Sequence, residues 1–252
     1  MRPNSHLDHT LPPFLLWALS AIASSAIASA LLFAHPSTAH AAAIGSYPAM
    51  APLASYASAD RDAEIAFARS AAPPAISSDA EIMVLGAHGY EKAVAGKNGF
   101  VCLVIRSWAN LFDNAEFWNP KIRSPICYNA AAARTVMPEY LERTEWVLAG
   151  VPLAEMDKRT RAEVASGKIG APAAGAMCYM LSKSQYLTDN GGAWYPHMMF
   201  FQPTMPASAW GAGLKGVQVY SSQGAPEPVT TFMVLVPRWS DGTPSAAAQP
   251  QP

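Results

Sequence analysis

Glu81-Ile82-Met83-Val84-Leu85-Gly86-Ala87-His88-Gly89-Tyr90 and then Gly96-Lys97-Asn98-Gly99-Phe100-Val101-Cys102-Leu103-Val104-Ile105 carry the pattern that decides the fold. Two apolar runs of strand length, 81–85 and 100–105, are bounded by glycine-bearing turns, and 90–94 returns between them. Asn98-Gly99 is the strongest hairpin signal in the chain, because both residues accept positive φ. The spacing predicts an antiparallel meander.

Upstream of this stretch, Ser58 reads as the cap of a helix reaching about residue 70. Asp60 and Asp62 lie in its first turn, where the helix dipole favours acids, and Pro73-Pro74 ends it. Downstream, residues 118–127 carry Pro120 and Pro125 and read as irregular. Asn129 caps a short alanine helix that ends before Pro138. Pro138 suits the first position of a second helix, which stops at Gly150. Its apolar stripe is Tyr140, Leu141, Val147 and Leu148, with Glu142, Arg143 and Glu145 elsewhere. A third helix runs from Pro152 to Gly167 with Leu153, Met156, Thr160 and Val164 inward. Strands follow at 176–181, 197–202, 217–221 and 229–236. Helices inserted between two groups of strands predict an α+β fold with a mostly antiparallel sheet.

The ends of the chain read differently. Residues 11–33 carry no charge, Pro36 breaks the run, and Ala39-His40-Ala41 offers the small-residue pattern of a processing site. Residues 1–43 are therefore read as a signal peptide, 44–57 as a linker or loosely docked arm, 58–242 as one domain and 243–252 as a disordered tail. An uncleaved anchor would leave the same orientation, because Arg2 precedes the segment and the next basic residue is Arg61. A periplasmic or secreted location follows.

Removing the segment takes one Arg and one Asp, so a body of about 209 residues keeps a net charge of −1. That size supports one full core. Near-neutrality excludes a long-range pull on nucleic acid or anionic lipid, so neither nucleic acid nor, after cleavage, a membrane is an expected partner. The basic cluster Lys158, Arg159 and Arg161 alternates with Glu155 and Asp157 at helical spacing, as on a solvated face.

Cys102, Cys127 and Cys178 remain in an oxidising compartment, which predicts one disulfide and one leftover thiol. Cys102 is on a buried strand and Cys127 in the irregular stretch, where a staple constrains most. Closing that loop is worth about 3.5 kcal/mol in the chain-entropy picture. Cys178, in Ala176-Met177-Cys178-Tyr179-Met180-Leu181, reads as a buried strand residue. The expected pair is Cys102 with Cys127.

Several chemical motifs fail on context. Gly211-Ala212-Gly213-Leu214-Lys215-Gly216 fits a dinucleotide fingerprint but lacks the strand before and the helix after. Common hydrolase and redox motifs are missing from the sequence. Arg238-Trp239-Ser240-Asp241-Gly242 reads as a turn closing the last strand. The most suggestive stretch is Trp194-Tyr195-Pro196-His197-Met198-Met199-Phe200-Phe201. Alternation puts His197, Met199 and Phe201 on one face. His197 and His88 are the two histidines beyond the processing region.

Short segments resemble exported bacterial proteins of unknown function across about residues 66–237. They are Ala72-Pro73-Pro74-Ala75-Ile76-Ser77, Asn98-Gly99-Phe100-Val101-Cys102, Pro125-Ile126-Cys127, Gly175-Ala176-Met177-Cys178-Tyr179-Met180-Leu181 and Pro196-His197-Met198-Met199. The similar sequences carry a Cys at the positions matching Cys102 and Cys127. No activity comes with the resemblance.

The leading expectation is an exported, non-catalytic domain that binds a small molecule or an envelope partner. Trp194, Tyr195, His197 and His88 are its candidate contacts, and no cofactor is implied. One alternative is a hydrolase-type enzyme using His88 or His197 as base. The other is a copper-handling protein, because imidazole with thioethers suits Cu(I).

Overall fold

Alternating apolar residues and well-placed glycines assemble eight strands into one sheet. The computed structural model describes residues 47–190, 194–224 and 226–245. The expected signal peptide at 1–43 and residues 246–252 of the expected tail lie outside the described residues. The strands are β1 (Glu81–Gly86), β2 (Gly89–Val94), β3 (Val101–Arg106), β4 (Arg123–Tyr128), β5 (Met177–Met180), β6 (His197–Pro203), β7 (Val219–Gln223) and β8 (Val229–Leu235). Their order is β2-β1-β3-β4-β5-β6-β8-β7. Six of the seven neighbouring pairs are antiparallel, and β1 with β3 is parallel. Helices α1 (Arg61–Arg69) and α2 (Pro74–Ser77) precede β1. Helices α3 (Ala130–Thr135), α4 (Met137–Leu148) and α5 (Leu153–Ser166) fall between β4 and β5. The class is α+β with a mostly antiparallel sheet and the helices inserted between strand groups.

The meander fails at Asn98-Gly99. The tight hairpin lies instead at Ala87-His88, where Gly86 pairs with Gly89 and Gly89 takes φ +136°. From β2 the chain passes β1 and adds β3 on its far side, with Glu81 opposite Val101. Asn98 and Gly99 do form a turn, with Gly99 at φ +78° and Asn98 Oδ1 accepting from the Phe100 amide at 3.1 Å. Asn98 Nδ2 donates to the Ile76 carbonyl at 2.7 Å, which ties the crossover to α2. A turn signal fixes a change of direction; tertiary packing decides which strand pairs next.

The Cys102–Cys127 disulfide is present, but Cys127 is on β4 and not in a loop. The two cysteines face each other across β3 and β4 with Cα atoms 4.0 Å apart, the close spacing of a non-hydrogen-bonded pair. Pro125 hid this strand. It lies opposite Val104, in the same register as the cysteines, so its missing N–H would have pointed away from β3. On that outer side β5 meets β4 only at Cys127 and Tyr128, so no ladder bond is lost.

β3 is buried on both faces, which explains its unbroken apolar run. Cys102 and Val104 pack with Ala68, Ala71 and Ala72 at the end of α1. Leu103 and Ile105 pack with Trp108, Tyr140, Val147 and Met156 on the other side. The cap of α1 is Asp60, whose Oδ1 accepts from the Asp62 and Ala63 amides; Ser58 lies outside the helix and donates to the Asp60 carbonyl. Residues 47–57 of the stretch read as a linker carry Tyr56, which is fully buried and donates to the Trp118 carbonyl at 2.8 Å.

Arg106, at the end of β3, is fully buried. Its Nη2 donates to Glu64 at 2.7 Å, its Nε to the Tyr56 carbonyl at 2.7 Å, and its Nη1 to the Val104 carbonyl. Tyr90 also donates to that carbonyl, and the Tyr140 hydroxyl accepts from the Arg106 amide. Each guanidinium nitrogen therefore has a partner, which is what makes a buried charge tolerable.

Candidate functional site

The helices cover the sheet unequally. α4 lies over β2 and the short turn Ser107–Ala109, and α3 over β4 and β5. The same face of β6 and β8 is left as the floor of an open cleft of about 470 Å³. His197, Met199 and Phe201 of β6 line it, as their alternation predicts, together with Met180 of β5 and Thr231 and Met233 of β8. Tyr128 of β4 extends the floor, and Glu139, Tyr140 and Arg143 of α4 form the opposite wall. Trp194 stands at the rim, 37 % exposed.

The wall carries the charge. Arg143 donates from Nη2 to Glu139 at 2.7 Å and to Glu227, and from Nη1 to the Trp108 and Asn110 carbonyls at 3.2 Å. Its guanidinium sits 4.4 Å from the centre of the Phe112 ring. Nε, buried, has no partner. Two carboxylates thus share one guanidinium. Burial, aided by a hydrogen bond to Glu227, raises the Glu139 pKa to about 9, so that its carboxyl holds a proton at neutral pH. Glu163 on α5 adds to the negative field.

The floor carries two polar tips. His197 is 5 % exposed, and its Nδ1 lies 2.9 Å from the Tyr195 carbonyl. Nδ1 is therefore the donor, and Nε2 keeps its lone pair. Burial pushes the imidazole pKa below its ordinary value. Neither Nε2 nor the hydroxyl of Tyr128, itself 5 % exposed, has a hydrogen-bond partner among the described residues. Neither atom is among the fully enclosed unpaired ones, so both tips open onto the cleft, where a ligand can meet them.

The four expected contacts separate. Trp194 and His197 meet at the cleft. Tyr195 is half-buried and offers its carbonyl, not its ring, to the site. His88 is exposed on the β1–β2 hairpin, with β3, β4 and β5 between its hairpin and β6. Neither imidazole hydrogen-bonds a Ser or Cys among the described residues. No group of three His, Cys, Asp or Glu side chains is placed to hold a metal among the described residues. Gly211 follows a 3-10 turn, Ala207–Trp210, and β7 comes after the motif, so no helix is there to meet a pyrophosphate. Arg238 donates to the Gly242 carbonyl at 2.7 Å within the final turn.

Sequence reasoning missed Glu139, Arg143, Glu227 and Tyr128. The signal for Arg143 was present: Tyr140, Arg143, Thr144 and Val147 follow the 3–4 spacing of a buried stripe, and all four are buried. Glu227, between Pro226 and Pro228, has no local pattern that points to α4.

A second hollow of about 320 Å³ lies on the opposite sheet face, beside Met198, Leu181 and Trp239. Its walls are apolar and its one charged residue, Arg238, is tied into the final turn. No helix among the described residues is long and apolar enough to cross a membrane. No protein-family description, curated protein or solved structure matches the chain.

Proposed function

We propose that this is an exported binding protein that holds a small, largely apolar molecule in the cleft between α4 and the sheet. The observation that carries the reading is the pairing of an apolar floor with polar side chains that open onto the same cleft with hydrogen-bonding capacity unspent. Met180, Met199, Phe201 and Met233 would take the body of the ligand. Its polar end would meet Glu139 and Glu227, one able to donate and the other to accept, while His197 Nε2 offers a second acceptor. Arg143 holds the carboxyls in place, and Trp194 covers the mouth.

Export rests on the apolar leader and the processing pattern in the sequence. A disulfide, rare in reducing compartments, agrees with it. Binding without catalysis is preferred because neither imidazole hydrogen-bonds a Ser or Cys among the described residues.

The test uses N-phenyl-1-naphthylamine, an uncharged apolar fluorophore, titrated into the protein recovered after export. Saturable enhancement is expected, and Met199→Trp, which fills the cleft, should abolish it while circular dichroism stays native. A probe that does not bind, or binds Met199→Trp equally well, contradicts the reading.

A further inference from the structure

We propose that the floor of the cleft holds a single Cu(I) ion through His197 Nε2, the thioether of Met199 and one flanking thioether, Met180 or Met233. This goes beyond the small-molecule reading and does not rest on it.

The donors are neighbours by register. Met180 of β5 lies directly opposite His197 of β6, and Met199, two residues along β6, lies directly opposite Met233 of β8. Cross-strand partners point to the same face with Cβ atoms about 5 Å apart. All four side chains line the same cleft. One imidazole and three thioethers are therefore gathered on two rungs of three adjacent strands.

The imidazole is prepared as a ligand. Its Nδ1–H is engaged by the Tyr195 carbonyl at 2.9 Å, which fixes the tautomer and leaves the Nε2 lone pair without a partner. Metal-bound histidines are ordinarily oriented in this way by a carbonyl or carboxylate on the far nitrogen.

The donor set selects the ion. Neutral thioethers are soft and bind Cu(I), whereas Zn(II) and Cu(II) favour additional nitrogen, thiolate or oxygen donors. Cys178 lies next to Met199 across β5 and β6, but it is fully buried and does not line the cleft. It is excluded from the donor set. Met198 faces the other hollow and supplies a control on the same strand.

The experiment is an anaerobic titration of the exported protein with Cu(I) under ascorbate, in competition with bicinchoninate, read by the colour of the chelate. One equivalent should be withdrawn from the chelator, and Zn(II) and Cu(II) should bind at least a hundredfold more weakly. His197→Ala and Met199→Leu should each weaken Cu(I) binding at least tenfold. Leu replaces Met at nearly constant volume, so the fold survives the second change. Met198→Leu and Cys178→Ala should leave affinity within twofold. No competition, equal retention of Zn(II), a silent Met199→Leu, or equal damage from Met198→Leu or Cys178→Ala each overturns the proposal. The fluorophore titration on metal-free protein reads the small-molecule site separately.

Discussion

Two arginines are buried among glutamates in this protein, and they sit in opposite situations. Arg106 is fully enclosed, faces one carboxylate, Glu64, and has a partner for each guanidinium nitrogen. Arg143 is 6 % exposed and shares its guanidinium between two carboxyl groups at the wall of an open cleft. The first arrangement is closed and balanced, so it holds β3, α1 and the Tyr56 segment together and has no capacity left for anything else. The second is unbalanced and faces empty space, so part of its capacity remains for a ligand. Buried charge alone does not identify a site; unspent pairing capacity beside a cavity does.

The largest expected effect comes from breaking the closed cluster. Arg106→Met strands a buried Glu64 and should cost about 3–5 kcal/mol in urea unfolding. Adding Glu64→Leu should return most of it, because a well-packed apolar pair can replace a buried ion pair. A loss under about 1 kcal/mol for the single change would erase the distinction between the two arginines. Replacing both Cys102 and Cys127 by Ala should cost roughly 2–4 kcal/mol and leave fluorophore binding unchanged, since the staple belongs to the closed half.

The open cluster should respond less. Arg143→Met should cost about 1–2 kcal/mol at pH 7, because Glu139 already holds a proton there and the wall borders an open cleft. Binding of the fluorophore should change as well. Glu139 gives the pH-dependent contrast. Its folded pKa is raised, so the folded state holds a proton that the unfolded chain has lost, and stability falls as pH rises from about 4.5 towards about 9. Glu139→Gln should therefore equal the parent at pH 4 and exceed it by about 2–5 kcal/mol at pH 8 in paired urea titrations. A gain that grows towards low pH would have the wrong sign.

How far these features were legible differs by their origin. Strands β3, β6 and β8 and the limits of α4 and α5 follow from local pattern: apolar runs, Pro138 at the first turn and Gly167 in the left-handed region after α5. The disulfide partners were legible, but the reason offered was wrong, because Pro125 masks a strand whose outer side needs no donor there. Asn98-Gly99 marks a turn without stating its partner strand, which is a long-range fact. On the site, His197 and Trp194 were within reach because they sit on one strand and its approach. Arg143 is left out of the apolar stripe because it is charged, although its spacing places it with Tyr140 and Val147. Glu227 and Met233 reach the cleft only through the pairing of β6 with β8, which no local window contains.

The contrast between the two clusters can be read from the glutamate side chains themselves. In a carbon-13 spectrum of side-chain carboxyls, Glu139 should titrate at about 9 and shift when N-phenyl-1-naphthylamine saturates the cleft, with Glu64 unmoved by the probe. A Glu139 signal that titrates in the ordinary carboxylate range, or one that saturating probe leaves in place, would contradict the account.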